Sequence, residues 1–70
     1  MKQGTLVYDR AANRYDIRFD LGCYYGGLHC GECFDVLIDG EWKPTRIEMA
    51  DDWYLVGIRT DDLQEVRVRI

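Results

Sequence analysis

The chain lacks the features that would place it in several large classes. No apolar run approaches the roughly 18 residues a membrane-crossing helix needs. Met1-Lys2-Gln3-Gly4 has no apolar core of the kind a secretory leader carries, so the expected location is the cytoplasm, with no membrane partner. Proline occurs once, at Pro44, and there is no low-complexity tract or internal repeat; with 47% hydrophobic content, this argues against disorder. The three cysteines, an odd number, suit a reducing compartment better than a disulfide framework. Basic residues are outnumbered 9 to 13 by acidic ones, and the formal charge of −4 disfavours a polyanion spread over the whole surface. No stretch combines a 3.6-residue apolar period with caps, so no α-helix is predicted.

Aromatic side chains, by contrast, are plentiful: five Tyr, two Trp and two Phe in 70 residues. A chain this short forms one domain, residues 1–70, and buries only about 60% of the surface its unfolded form exposes. Large β-favouring rings filling a small interior fit that constraint.

The richest stretch is 33–57, where three β-favouring runs are broken by Asp39-Gly40 and by Ala50-Asp51-Asp52. Asp-Gly tolerates the positive φ of a type I′ turn, so a two-residue loop pairs Ile38 with Glu41. Period-two alternation then puts Phe34, Val36, Ile38, Thr45, Ile47 and Met49 on the core face. The opposite face takes Cys33, Asp35, Leu37, Trp42, Pro44, Arg46 and Glu48, with Pro44 marking an edge or bulge. Residues 53–58 are apolar on both sides, with Tyr54, Val56 and Ile58 on one and Trp53 and Leu55 on the other. Leu37, Trp42, Trp53 and Leu55 therefore form either a second small cluster under a covering loop or an exposed patch, and the cluster is the favoured reading.

Before this meander, residues 5–8 read as a short strand, 9–14 as a turn with Asn13 left-handed, and 15–20 as a strand with Tyr15, Ile17 and Phe19 inward and Asp16, Arg18 and Asp20 outward. Residues 21–32, with four glycines, read as the longest loop. After it, 61–64 make a turn, read as a single 3₁₀ turn, and 65–70 alternate with Val66, Val68 and Ile70 inward. The expected fold class is all-β, a small SH3-like barrel or a rolled antiparallel sheet of about five to six strands. The barrel is preferred, because both chain ends are strands that could pair and close it.

Several motifs occur together: Leu28-His29-Cys30-Gly31-Glu32, Val36-Leu37-Ile38-Asp39-Gly40-x-Trp42, Thr45-Arg46-Ile47-Glu48, Trp53-Tyr54-Leu55-Val56-Gly57 and Val66-Arg67-Val68-Arg69-Ile70. In these the sequence resembles a family of short uncharacterised Firmicutes proteins, known only as a domain of unknown function. The resemblance covers residues 15–70. It implies a small stand-alone bacterial cytosolic β protein, with no catalytic or binding residues to transfer.

Four constellations could carry chemistry. Cys23, His29, Cys30 and Cys33 offer three thiolates and an imidazole, and Cys30-Gly-Glu-Cys33 has the spacing of half a zinc knuckle. No second pair follows it, and His29 adjoins Cys30 awkwardly for joint ligation, so ordinary buried or half-buried cysteines are the favoured reading. A Cys/His nucleophile or a redox pair lacks both a helix N-terminus and an orienting third group. Asp51-Asp52 and Asp61-Asp62 read as turn residues, and the glycine-rich loop lacks any phosphate-binding pattern. Arg46, Arg59, Arg67 and Arg69 lie on outward positions of late strands and would make a basic stripe if those strands adjoin, although acidic neighbours could pair with them.

The resulting expectation is a protein that is not an enzyme and needs no cofactor and no metal. It is read as a protein or peptide interaction module using Tyr24, Tyr25, Leu37, Trp42 and Trp53, its partner being another protein or a second copy in a homodimer. The alternatives are a nucleic-acid-binding module using the arginine stripe, or a zinc-stabilised domain using the Cys/His group.

Overall fold

The computed structural model describes residues 1–70 and turns the alternating runs into seven strands and no helix. They are β1 (Gln3–Asp9), β2 (Arg14–Asp20), β3 (Cys23–Tyr24), β4 (Cys33–Ile38), β5 (Glu41–Met49), β6 (Trp53–Leu55) and β7 (Arg67–Arg69). All pairings are antiparallel, in the order β3-β2-β1-β7-β4-β5-β6.

Local chemistry explains the turns. Asp39 and Gly40 have φ of 51° and 78°, the positive pair a type I′ turn requires, and Ile38 sits opposite Glu41. Asn13 takes φ 54° in the first hairpin, where Asp9 Oδ1 accepts the N–H groups of Ala11 and Ala12. Asp52 Oδ1 accepts the Trp53 N–H at 2.8 Å. Asp62 Oδ1 accepts that of Gln64 at 2.9 Å, so the last turn is built by an aspartate side chain rather than as the expected 3₁₀ turn.

The chain ends do pair: β1 lies against β7, and Lys2 and Ile70 exchange backbone hydrogen bonds of 2.8 and 2.9 Å. That contact falls in the middle of the sheet rather than at its margins, so the preferred barrel gives way to the rolled open sheet. The margins are β3 and β6, only two and three residues long.

Nine side chains form the core: Leu6, Ile17, Leu28, Phe34, Val36, Ile47, Leu55, Leu63 and Val68. Seven come from strands, five of them (Ile17, Phe34, Val36, Ile47 and Val68) at the expected parity, whereas Leu28 and Leu63 drop in from loops. Met49, expected inside, is 41% exposed, because it sits at the end of β5 beyond the reach of the core. Gly4 brings β1 and β2 together, since a Cβ there would stand 2.5 Å from the Arg18 carbonyl oxygen and 2.8 Å from Ile17 Cγ2.

Residues 25–32 carry the chain from β3, at one margin, to the start of β4, four positions along the sheet. At the near end Tyr25 N–H donates to Ile17 O and Leu28 N–H to Tyr15 O. At the far end Gly31 N–H donates to Ile47 O, and Ile47 N–H to Glu32 O. Asp16 fixes the departure. Its Oδ1 accepts the N–H groups of Ile17, Gly26 and Gly27 at 2.8, 3.0 and 2.9 Å. Asp16 was expected to be a solvated outward residue; it is on the outward parity but only 9% exposed, because the segment folds against it. Arg14 adds a hydrogen bond from Nη1 to Leu28 O at 3.0 Å.

Two substitutions test this bracing. Asp16→Ala orphans sheltered N–H groups and is expected to lower the unfolding free energy by about 1–3 kcal/mol. Leu28→Ala should cost about 2–5 kcal/mol through its cavity. Urea unfolding measures both, and faster amide exchange at Gly26 and Gly27 in Asp16→Ala, with the β4–β5 hairpin unchanged, locates the effect. A further prediction concerns alkali. Burial, followed by the charges of Asp62 and Asp52 and the neighbouring Tyr8, raises the Tyr15 pKa above its ordinary value. A pKa raised on folding contributes stability that is complete below the unfolded value of about 10 and is lost as pH climbs through the folded value. Melting temperature should therefore fall above about pH 10, and Tyr15→Phe should remove part of that fall.

Candidate functional site

Strand alternation builds a continuous row of side chains on the face opposite the core. Tyr24 on β3 pairs with Arg18 on β2, Arg18 with Thr5 on β1, and Thr5 with Arg67 on β7. Next along β7 and β4 from the Arg69–Asp35 and Val68–Val36 pairs come Arg67 and Leu37, and Leu37 pairs with Trp42 on β5. At about 4.8 Å per strand, the row covers roughly 24 Å of sheet.

Its charges are unevenly satisfied. Arg69 Nε donates to Asp35 Oδ2 at 2.9 Å, and its guanidinium lies 4.5 Å from the centre of the Trp42 ring. Arg46 Nε donates to Glu48 Oε2 at 3.0 Å. Arg59 is exposed beyond β6, off the row. The predicted arginine stripe thus breaks up: two members are neutralised, one lies elsewhere, and Arg67 remains. Its cationic neighbour is Arg18, an outward residue of β2 that nothing in the sequence sets apart. The chain's three ion pairs are His29–Glu32, Arg46–Glu48 and Arg69–Asp35, so neither Arg18 nor Arg67 has an acidic partner.

Two shallow depressions flank Arg18. One of about 260 Å³ is lined by Thr5, Phe19, Asp20, Leu21 and Arg67 as well as Arg18. The other, about 470 Å³, is lined by Val7, Tyr8, Asp16 and Tyr24 together with Arg18. Tyr24 is 52% exposed, while Leu37 and Trp42 are half-buried beside their neighbours.

The five aromatic and aliphatic residues singled out from sequence are not one patch. Trp53 pairs with Met49 and Leu55 with Ile47, which turns both toward the core; Leu55 is buried and Trp53 packs against the cluster. The expected grouping of Leu37, Trp42, Trp53 and Leu55 is therefore split between the two faces. The cause is the three-residue turn 50–52, which places Trp53 opposite Met49 and so on its side of the sheet. Tyr25 is exposed on the crossing segment. Hydrogen bonding to Glu32 and that group's charge, with a smaller effect of burial, raise its pKa. Glu32 also gathers His29, whose N–H and Nδ1 stand 3.3 and 3.2 Å from Oε1.

The cysteines were expected to be buried or half-buried, yet all three are exposed. Cys23 and Cys30 lie on or beside the surface segment, and Cys33 has the outward parity opposite Phe34. Cys23, His29, Cys30 and Cys33 are not gathered into a group that could hold a metal. Arg18 and Thr5 carried a signal in the sequence, their outward parity, but only the strand order shows that they flank Arg67.

No curated protein matches the chain. A crystal structure of a protein from Ruminococcus gnavus, determined by the Northeast Structural Genomics Consortium, is similar at 62% identity with a TM-score of 0.93, covering 97% of this chain and 99% of that one. The model of the family described as a domain of unknown function (DUF5348) matches residues 4–70, in keeping with the resemblance seen in the motifs, and the chain belongs to that family.

Proposed function

We propose that the domain is a non-catalytic interaction module that binds a peptide segment of another protein across the row from Tyr24 to Trp42. The observation that carries this reading is the juxtaposition on one sheet face of an exposed aromatic ring, two arginines without acidic partners and the Leu37–Trp42 pair. Arginine and aromatic side chains are the types that most often anchor protein interfaces. A bacterial cytoplasmic setting suits the exposed free thiols.

Charge favours a peptide over nucleic acid. Asp16, Asp20 and Asp35 share the outward parity with the arginines, and the whole chain carries −4. A phosphate backbone tracking that face would meet these carboxylates as well as the arginines. What supports a non-catalytic role is that Asp52 and Asp62 are engaged with backbone amides of their own turns.

Selection of peptides from a random display library, followed by amide chemical-shift mapping of the winners, tests the reading. Bound peptides should perturb Tyr24, Arg18, Thr5, Leu37 and Trp42. Tyr24→Ala should weaken them about tenfold or more while changing stability by no more than about 0.5 kcal/mol. Peptides that map to the Cys23–Cys33 thiols or to no common surface would overturn the proposal. So would concentration-dependent self-association through the same row, which would make the occupant a second copy.

A further inference from the structure

We infer that Arg18, Thr5 and Arg67 form a subsite for a single oxyanion, a carboxylate or phosphate group carried on a peptide; this rests on the reading of the outer face as a peptide-binding surface.

Register places the three residues. Thr5 is the direct partner of Arg18 on one side and of Arg67 on the other, so all three side chains leave the sheet on the same face and in line. Directly opposed Cα atoms in antiparallel sheet are about 4.5–5.5 Å apart, which sets the two arginine Cα atoms about 10 Å apart with the threonine hydroxyl between them. An arginine side chain is long enough to reach half that span, so both guanidinium groups can converge above Thr5. They line one depression of about 260 Å³, with Phe19 and Leu21 giving it an apolar margin.

Electrostatics gives the second argument. Thirteen acidic residues are available in the chain, and the arginines at 46 and 69 each hold a carboxylate within 3.0 Å. Arg18 and Arg67, two strands apart, hold none. Two like charges held this close repel each other, and an oxyanion between them would relieve the repulsion. Guanidinium groups meet carboxylate and phosphate oxygens through paired, parallel N–H bonds, a geometry lysine cannot supply.

Acidic neighbours limit the charge the subsite accepts. Asp20 lines the same depression, although its Oδ1 already accepts the Leu21 N–H at 2.8 Å. Asp9 and Asp16 line the depression on the other side of Arg18. The subsite therefore fits one anionic group on an otherwise neutral or apolar segment, and disfavours a run of them.

Titration of isotope-labelled protein with inorganic phosphate at constant ionic strength, against a chloride control, provides the first test. Saturable shifts are expected at the Thr5, Arg18 and Arg67 amides and at the arginine Nε resonances. R18Q and R67Q should each weaken binding about tenfold or more, which corresponds to one lost charge-assisted hydrogen bond. R67K, which keeps the charge, should also weaken it, while R46Q should not. Shifts that fail to saturate, or that survive R18Q and R67Q in folded protein, would overturn the subsite. The second test uses one outer-face peptide carrying glutamate, phosphoserine or glutamine at a single position. The first two should compete with phosphate and the third should not, and the tighter of the two names the natural group. Peptide binding indifferent to R67Q would overturn the subsite but leave the peptide surface standing. Saturable phosphate binding with no peptide selected would do the reverse. Tighter binding of an oligonucleotide than of either peptide, with a salt dependence steeper than one charge, would overturn the single-anion assignment.

Discussion

The fold depends on how residues 25–32 are held. Without that segment the sheet would be a curled ribbon with one side of its core open to water, because the two short margins, β3 and β6, do not pair with each other. Asp16 is the constraint that sets the segment's path. A single carboxylate oxygen takes three backbone N–H groups, two of them from Gly26 and Gly27 at φ of 116° and 97°, a conformation few other residues adopt without strain. Leu28 then enters the core, and the chain rejoins the sheet at Ile47. Charge, turn and packing act here on four consecutive steps of the chain, so the cover is built from local bonds rather than from an added strand.

Covering the inner face in this way leaves the outer face open except around Arg14 and Asp16, which the segment contacts. Leu28 and Leu63 fill the core side, and the other outward residues of β3, β2, β1, β7, β4 and β5 share one sheet surface. Pairing within that surface is selective. Asp35 and Trp42 together hold Arg69, combining a charge-assisted hydrogen bond with a ring contact, and Glu48 holds Arg46. The arginines on either side of Thr5 stay uncommitted. Two of the nine basic residues are thus spent on the chain's own carboxylates, while Arg18 and Arg67 face the surface without one.

Much of the architecture was legible in the residues. Asp39-Gly40 set the β4–β5 register because the turn's φ requirement is a property of two neighbouring residues. That register sorted Phe34, Val36, Thr45 and Ile47 inward without any knowledge of the other strands. Trp53 went astray because its side depends on the length of a turn that carries no comparable signature. Leu28 and Leu63 were invisible as core residues, since nothing periodic marks an apolar side chain in a loop. Asp16 looked no different from Arg18 and Asp20, its neighbours in the alternation, and the cysteines looked like small hydrophobes, whereas an edge strand, the crossing segment and outward parity put Cys23, Cys30 and Cys33 at the surface.

What the sequence determined by itself is an all-β chain, the meander and the assignment of most strand residues to inside or outside. Those follow from period-two geometry and turn chemistry, both of which act over a few bonds. Tertiary structure decided the strand order, the open rather than closed sheet, the burial of Asp16 and the meeting of Arg18, Thr5 and Arg67. These outcomes depend on which segments of the chain lie side by side, and residues more than sixty positions apart, such as Thr5 and Arg67, become neighbours only when the free energy of the whole core is settled.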